Sequence, residues 1–198
     1  MAISEQPRAA RRGLAAWSTR DLLVLVVIAL VFGLITAPLF TLSPIIDATL
    51  GPVLKRLTSG IFLVPSLLAA YTLRRPGAAL LCAVLVGLVQ VPFTPLGLIL
   101  VFGQAVFGIL YELPFLIARY RRYGLTMMLV SGAVLGLILG AIDFVPNGGP
   151  ALAPLAQVMF IVLNTLSGAL GGLLAKWLAD TIARSGAFGD RLGTTREV

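Results

Sequence analysis

Within the long apolar stretches of this chain, a few amides, carboxylates and aromatic rings stand at helical spacing, and these are the side chains able to do chemistry. Gln90 follows Ala83 and Gly87 on one face. Gln104, Phe107 and Tyr111 share another, because steps of three, four and seven residues bring side chains nearly into line on a helix, and Glu112 lies at the edge of that face. Asp143 comes three residues after Gly140, with Asn147 in the turn beyond it. Gln157 and Asn164 are seven apart and point the same way, with Phe160 alongside. A charged group at the centre of a bilayer costs at least about 2.5 kcal/mol, so polar side chains in apolar helices face a cavity or a partner. Together these residues describe a pocket at one end of four helices, suited to a small organic ligand that is cationic or rich in hydrogen bonds, with rings for cation–π contact. Each has a plainer use. Gln90 and Gln157 serve equally well as links between helices, Asp143 as a residue at the water interface, and Glu112 as an ion-pair partner of Arg119 or a support beneath the pocket.

The elements that must position these groups are membrane helices. The chain has 198 residues, of which 59% are hydrophobic and only 12% charged, where soluble proteins carry about 25%. Its basic residues fall in clusters: Arg8, Arg11, Arg12 and Arg20; Arg74 and Arg75; Arg119, Arg121 and Arg122; then Lys176, Arg184 and Arg191. Successive clusters are separated by enough apolar residues for two crossings, so the positive-inside rule puts them all on the cytoplasmic side. Hydropathy and the Pro, Gly and charge punctuation then give six helices with both termini cytoplasmic: Asp21 to Phe40, Ser59 to Leu73, Pro76 to about Val91, Leu96 to Ile117, Leu125 to Phe144 and Leu155 to Ile182. Thr41 to Leu57, with Asp47, Lys55, Arg56, Pro44, Gly51 and Pro52, reads as an external re-entrant or interfacial loop. The expected organisation is a cytoplasmic segment 1–20, an all-α membrane domain 21–183 and a cytoplasmic tail 184–198.

Several classes are excluded. The net charge of +7 is explained by orientation and anionic lipid, not by nucleic acid. With no His and a single Cys82 inside an apolar run, Ser-His, Cys-His and most zinc sites are absent, and neither a cofactor nor a metal is expected. No phosphate-binding G-x-x-x-x-G-K-[ST] loop occurs, so any ATP motor is on another chain. The inner halves of the helices are too apolar for an ion path, and no repeat relates the halves of the chain. Small residues four apart mark close helix approach: Ala29, Gly33 and Ala37 in the first helix, Gly132, Gly136 and Gly140 in the fifth, and Gly168, Gly171 and Gly172 in the sixth. Internal packing is the default use of each.

Three strings carry a family resemblance: Tyr71-Thr-Leu-Arg-Arg-Pro-Gly-Ala-Ala-Leu80; Gln104 to Glu112 followed by Arg119-Tyr-Arg-Arg122; and Asn164-Thr-Leu-Ser-Gly-Ala-Leu170 followed by Lys176-Trp-Leu-Ala-Asp180. Over Asp21 to about Ala187 the chain resembles the YkoE-type substrate-binding (S) components of energy-coupling factor vitamin transporters. The resemblance implies a non-catalytic subunit of the prokaryotic plasma membrane. It would capture thiamine or its hydroxymethylpyrimidine precursor from outside, and work with a transmembrane coupling subunit and two ATPases. It further implies that Ala29, Gly33 and Ala37 dock the coupling subunit, that Asn164 and the Gln104 to Glu112 helix touch ligand, and that Thr41 to Leu57 gates the pocket. Thiamine binders of this kind stack the ligand on tryptophan, whereas Trp17 and Trp177 lie at the cytoplasmic ends here. Phe40, Phe93, Phe102, Phe107, Tyr111, Phe144 and Phe160 would have to stack instead. An S component for another vitamin, or a ligand-free assembly protein whose polar residues only link helices, are the alternatives.

Overall fold

The computed structural model describes residues 17–120 and 123–184, and the regular secondary structure among them is all helical. Seven α-helices follow in order: α1 (Thr19–Thr41), α2 (Ser43–Leu54), α3 (Val64–Leu73), α4 (Ala78–Gln90), α5 (Leu98–Ile117), α6 (Leu125–Phe144) and α7 (Pro154–Arg184), with short 3-10 helices at Lys55–Phe62, Val91–Phe93 and Gly149–Ala151. The tails expected at 1–20 and 184–198 lie almost wholly outside the described residues.

Five helical stretches are long and apolar enough to cross a membrane: Thr19–Leu39, Ser43–Leu73, Leu98–Ile117, Leu125–Phe144 and Pro154–Arg184; the shorter Ala78–Phe93 lies among them. Their outward surfaces are large aliphatic and aromatic side chains, such as Leu23, Val27, Ile99, Phe102 and Ile117, all more than half exposed. That surface suits hydrocarbon as solvent. One expectation needs correction. Thr41 to Leu57 is not a loop but a helix continuing into the second crossing. Pro44 sits in the first turn of α2, where its missing N–H costs nothing. Gly51 turns the path with φ 73° and ψ 165°, after which the chain stays helical through the 3-10 segment into α3. Lys55 Nζ reaches back to Asp47 Oδ2 and Ser43 Oγ at 2.5 Å each, bracing α2 across that kink.

The bundle has two halves joined through α3, which is buried from Val64 to Tyr71 and packs on both α4 and α7. In one half α4 lies between α1 and α5; in the other α6 and α7 pack along most of their length. Glycines permit that last contact. A Cβ on Gly136 would lie 2.5 Å from the Asn164 carbonyl oxygen and 3.1 Å from Gly168 Cα. Gly132, Gly136 and Gly140 therefore serve internal packing against Asn164, Gly168 and Gly172, as their spacing implies. α5 and α6, by contrast, barely touch.

The arginine-rich end is fastened by short-range chemistry. Ser18 and Asp21 cap α1 reciprocally, each backbone N–H donating to the other's side chain, and Asp21 also pairs with Arg75 at 3.2 Å. Arg74 lies over the rings of Tyr71 and Tyr123, while Lys176 and Tyr71 both bind Asp180.

Candidate functional site

The polar residues of the opposite end fall into two groups. The first is centred on a residue absent from the sequence-derived set. Arg56 is the second residue of the 3-10 turn after α2, is only 4% exposed, and points inward. Its Nη1 donates to Asp143 Oδ2 at 3.2 Å, its Nη2 to Asn147 Oδ1 at 3.4 Å, and its Nε to the Pro52 carbonyl at 3.2 Å. The guanidinium carbon stands 4.6 Å from the centre of the Phe160 ring, which meets Phe144 edge-to-face at 5.6 Å. A buried guanidinium held by a carboxylate, an amide and an aromatic face is a satisfied cation. One turn on, the Ser59 hydroxyl meets Asn164 Oδ1, and Asn164 Nδ2 donates to the Gly136 carbonyl at 2.7 Å. Asp143, Asn147, Phe160 and Asn164 are thus brought together as the spacing implied. The signal for Arg56 was its sequence neighbourhood, but a cation beside Pro52 and Gly51 reads as a solvated loop charge.

The second group joins α1, α4 and α5. Gln90, fully buried, donates to Thr36 Oγ1 at 2.8 Å and accepts from Gln104 Nε2 at 3.3 Å. The Thr36 hydroxyl in turn donates to the Phe32 carbonyl at 2.6 Å. The Phe107 and Tyr111 rings stack at 6.4 Å one and two turns further along α5.

Three sequence expectations fail here. Glu112 does not face this end. Its carboxylate accepts from the backbone N–H groups of Gly77, Ala79 and Leu80 at 2.8, 2.9 and 3.3 Å and from the Tyr120 hydroxyl at 2.7 Å. It caps the N-terminus of α4, where a negative charge and a helix dipole attract, and Tyr120 rather than Arg119 is its side-chain partner. Burial and that carboxylate push the Tyr120 phenol above its ordinary pKa. Gln157 stays local, donating to the Leu152 carbonyl at 2.9 Å within the α6–α7 turn. Ala29, Gly33 and Ala37 are buried, not presented to a partner. A Cβ on Gly33 would lie 2.7 Å from Val89 Cγ1, so the stripe lets α1 approach α4.

A further cavity lies away from these groups. A cavity of about 630 Å³ lies between α5 and α6 toward the arginine-rich end, almost wholly apolar in lining. Neither amide group borders it. Among the described residues no three of His, Cys, Asp and Glu come together to hold a metal ion.

Comparison with known proteins gives concordant results. The chain is 27% identical over 175 residues to the putative HMP/thiamine permease protein YkoE of Bacillus subtilis (strain 168), covering 87% of this chain and 88% of that one. Its fold matches the crystal structure of an S-component of ECF transporter with a TM-score of 0.80 and 28% identity, over 90% of this chain and 92% of the other. A family model described as the permease component of ABC-type cobalt transport systems matches residues 20–138. With its lipid-facing helices and polar end groups, this multi-pass protein of the prokaryotic plasma membrane belongs to that ABC transport permease family and has the fold of the energy-coupling factor S components.

Proposed function

We propose that residues 21–183 form the substrate-binding subunit of an energy-coupling factor importer, taking up hydroxymethylpyrimidine, free or as the pyrimidine half of thiamine. The arginine clusters orient the bundle with both termini in the cytoplasm, so Arg56, Gln90, Gln104, Asp143, Asn147, Phe160 and Asn164 open outward. The observation that carries the choice of ligand is the Arg56–Asp143 pair. With Glu112 engaged at the far end and Asp143 already matched by a cation, what remains is a neutral set of amides and rings. Such a set favours an uncharged heterocycle that exchanges hydrogen bonds and stacks. The relative named for HMP and thiamine supports this reading.

The chain itself is non-catalytic on this reading. Its energy comes from ATPase subunits working through a transmembrane coupling subunit, and α2 with the turn after it acts as the gate. Cobalt, suggested by the family description, lacks a donor set: the chain has no His and one cysteine, which is buried.

Thermal-shift and calorimetric titration of the purified protein with hydroxymethylpyrimidine, thiamine and Co²⁺ tests the proposal. Stabilisation by the pyrimidine, equal to or greater than that by thiamine, is expected. Stabilisation by Co²⁺ alone, or silence across the panel from folded protein, refutes it.

A further inference from the structure

We propose that the groove between α5 and α6 binds one anionic phospholipid from the leaflet at the arginine-rich end. Three observations converge on that occupant.

The first is length and lining. The groove runs from Met127 to Ile138 on α6, about 16 Å at 1.5 Å per residue, and is faced by Leu113, Pro114 and Ile117 of α5 and by Val134 and Ile138 of α6. That is about half of a hydrocarbon core some 30 Å thick, so the groove has the length of one leaflet's acyl chains and stops near the midplane. It opens sideways because α5 and α6 diverge there, and its rim is exposed aliphatic surface.

The second is charge at the mouth. α5 ends in a left-handed turn, with φ 51° at Arg119 and 54° at Tyr120, closed by Tyr120 N–H donating to the Phe115 carbonyl and Arg119 N–H to that of Leu116, both at 2.9 Å. The turn puts Arg119 on the lining at headgroup depth, exposed and in no ion pair among the described residues. A basic group at the head of an apolar crevice between membrane helices is the chemistry that selects an anionic headgroup.

The third is a hydroxyl inside. Ser131 lines the groove, is 1% exposed, and its Oγ has no hydrogen-bond partner. A serine in a membrane helix ordinarily satisfies itself on a carbonyl one turn back or on a neighbour. Here the hydroxyl is unspent in the groove wall, and a rotation about its Cα–Cβ bond would bring it to the glycerol–ester region of a lipid, whose carbonyl oxygens are acceptors between headgroup and chain. A purely apolar transmembrane helix from another protein would leave it unsatisfied and Arg119 unmatched.

Native mass spectrometry of the full chain, released from nanodiscs of equal phosphatidylglycerol and phosphatidylcholine content, is the test. The wild type should retain a lipid adduct enriched in phosphatidylglycerol about fivefold over the bulk, the factor that one arginine near an anionic surface supplies. Arg119→Gln should bring the ratio back to that of the bulk. Val134→Trp, at a position 43% exposed, should fill the groove and remove the adduct. If Val134→Trp fails to fold by circular dichroism, Leu113→Trp fills the groove from the opposite wall. A wild-type adduct with no lipid preference, a preference that survives Arg119→Gln, or an adduct that survives the folded tryptophan variant overturns the proposal. Pyrimidine binding, measured in parallel, should be unchanged by all three substitutions, so failure here and failure of the functional reading are distinguishable.

Discussion

Replacing Arg56 with methionine should convert a site that prefers a neutral pyrimidine into one that prefers a cation. The guanidinium lies 3.2 Å from Asp143 Oδ2, a separation worth about 5 kcal/mol between unit charges at an effective dielectric of about 20. Water reduces that figure, because the Arg56 side chain is 5% exposed but that of Asp143 is 42% exposed. The pair therefore lies between an exposed one, worth about 1 kcal/mol at most, and a buried one, whose disruption costs about 3. About 2 kcal/mol corresponds to roughly a thirtyfold change in an affinity ratio. Methionine keeps an unbranched, polarizable chain against the Phe160 ring and so retains packing while deleting charge. Asp143, left without its cation, then attracts the positively charged thiazolium of thiamine but gains nothing with neutral hydroxymethylpyrimidine. Calorimetric titration of both ligands into wild type, Arg56→Met and Arg56→Lys should show the thiamine-to-pyrimidine affinity ratio rising about thirtyfold in the methionine variant alone. An unchanged ratio in folded Arg56→Met would mean that ligand charge never meets Asp143, and the argument for a neutral ligand would fall with it.

Other substitutions test the remaining assignments. Glu112→Gln should lower the melting temperature by setting an amide N–H₂ against the N–H groups of α4, at a cost of about 1.5–3 kcal/mol, yet leave ligand affinity intact; lost affinity with intact stability would return Glu112 to the pocket. Gln90→Leu removes two interhelical hydrogen bonds averaging about 0.6 kcal/mol each, so thermal unfolding in detergent should register a loss near 1 kcal/mol. Gly136→Ala drives a methyl into the α7 backbone and should cost about 1–3 kcal/mol or more, whereas Gly103→Ala, with nothing within 4 Å, should be tolerated; equal melting temperatures would contradict the close α6–α7 contact. Gly33→Leu should separate α1 from α4 and destabilise the isolated subunit; a stable subunit deficient only in assembly would restore the docking role.

The succession of apolar helices was legible because hydropathy acts on whole segments and does not depend on knowing neighbours. The first external segment was not legible, since Asp47, Lys55 and Arg56 lower its hydropathy and Pro44, Gly51 and Pro52 punctuate it. The structure reconciles these residues by pairing the charges internally or inside the bundle, and by placing Pro44 where a helix tolerates proline. Periodicity found Gln90 with Gln104, and Asp143 with Asn147, Phe160 and Asn164, because a shared face at a shared depth is a geometric property of helices. It erred on Glu112 by weighing face above depth: eight residues past Gln104 is about 12 Å further along α5, toward the opposite end. The small-residue stripe of α1 announced a close approach but not its partner, and α4 supplies one within the same chain.

If α2 and the turn after it form the gate proposed above, Arg56 makes gate and site one device. No residue of α2 is buried, so the arm gains little by packing. The Lys55–Asp47 pair braces it internally across Gly51. Just beyond it, the Arg56 guanidinium holds Asp143, Asn147 and Phe160 at the site. A ligand that approaches these three groups meets a cation already seated there. It must hydrogen-bond around the guanidinium, leaving the arm latched, or displace it, freeing the arm from its anchor. A neutral pyrimidine fits the first course and can be enclosed beneath a closed arm. A cation of comparable size forces the second and would be bound with the arm released. On that proposal the residue that selects ligand charge also sets gate position, which would couple occupancy and closure through one side chain.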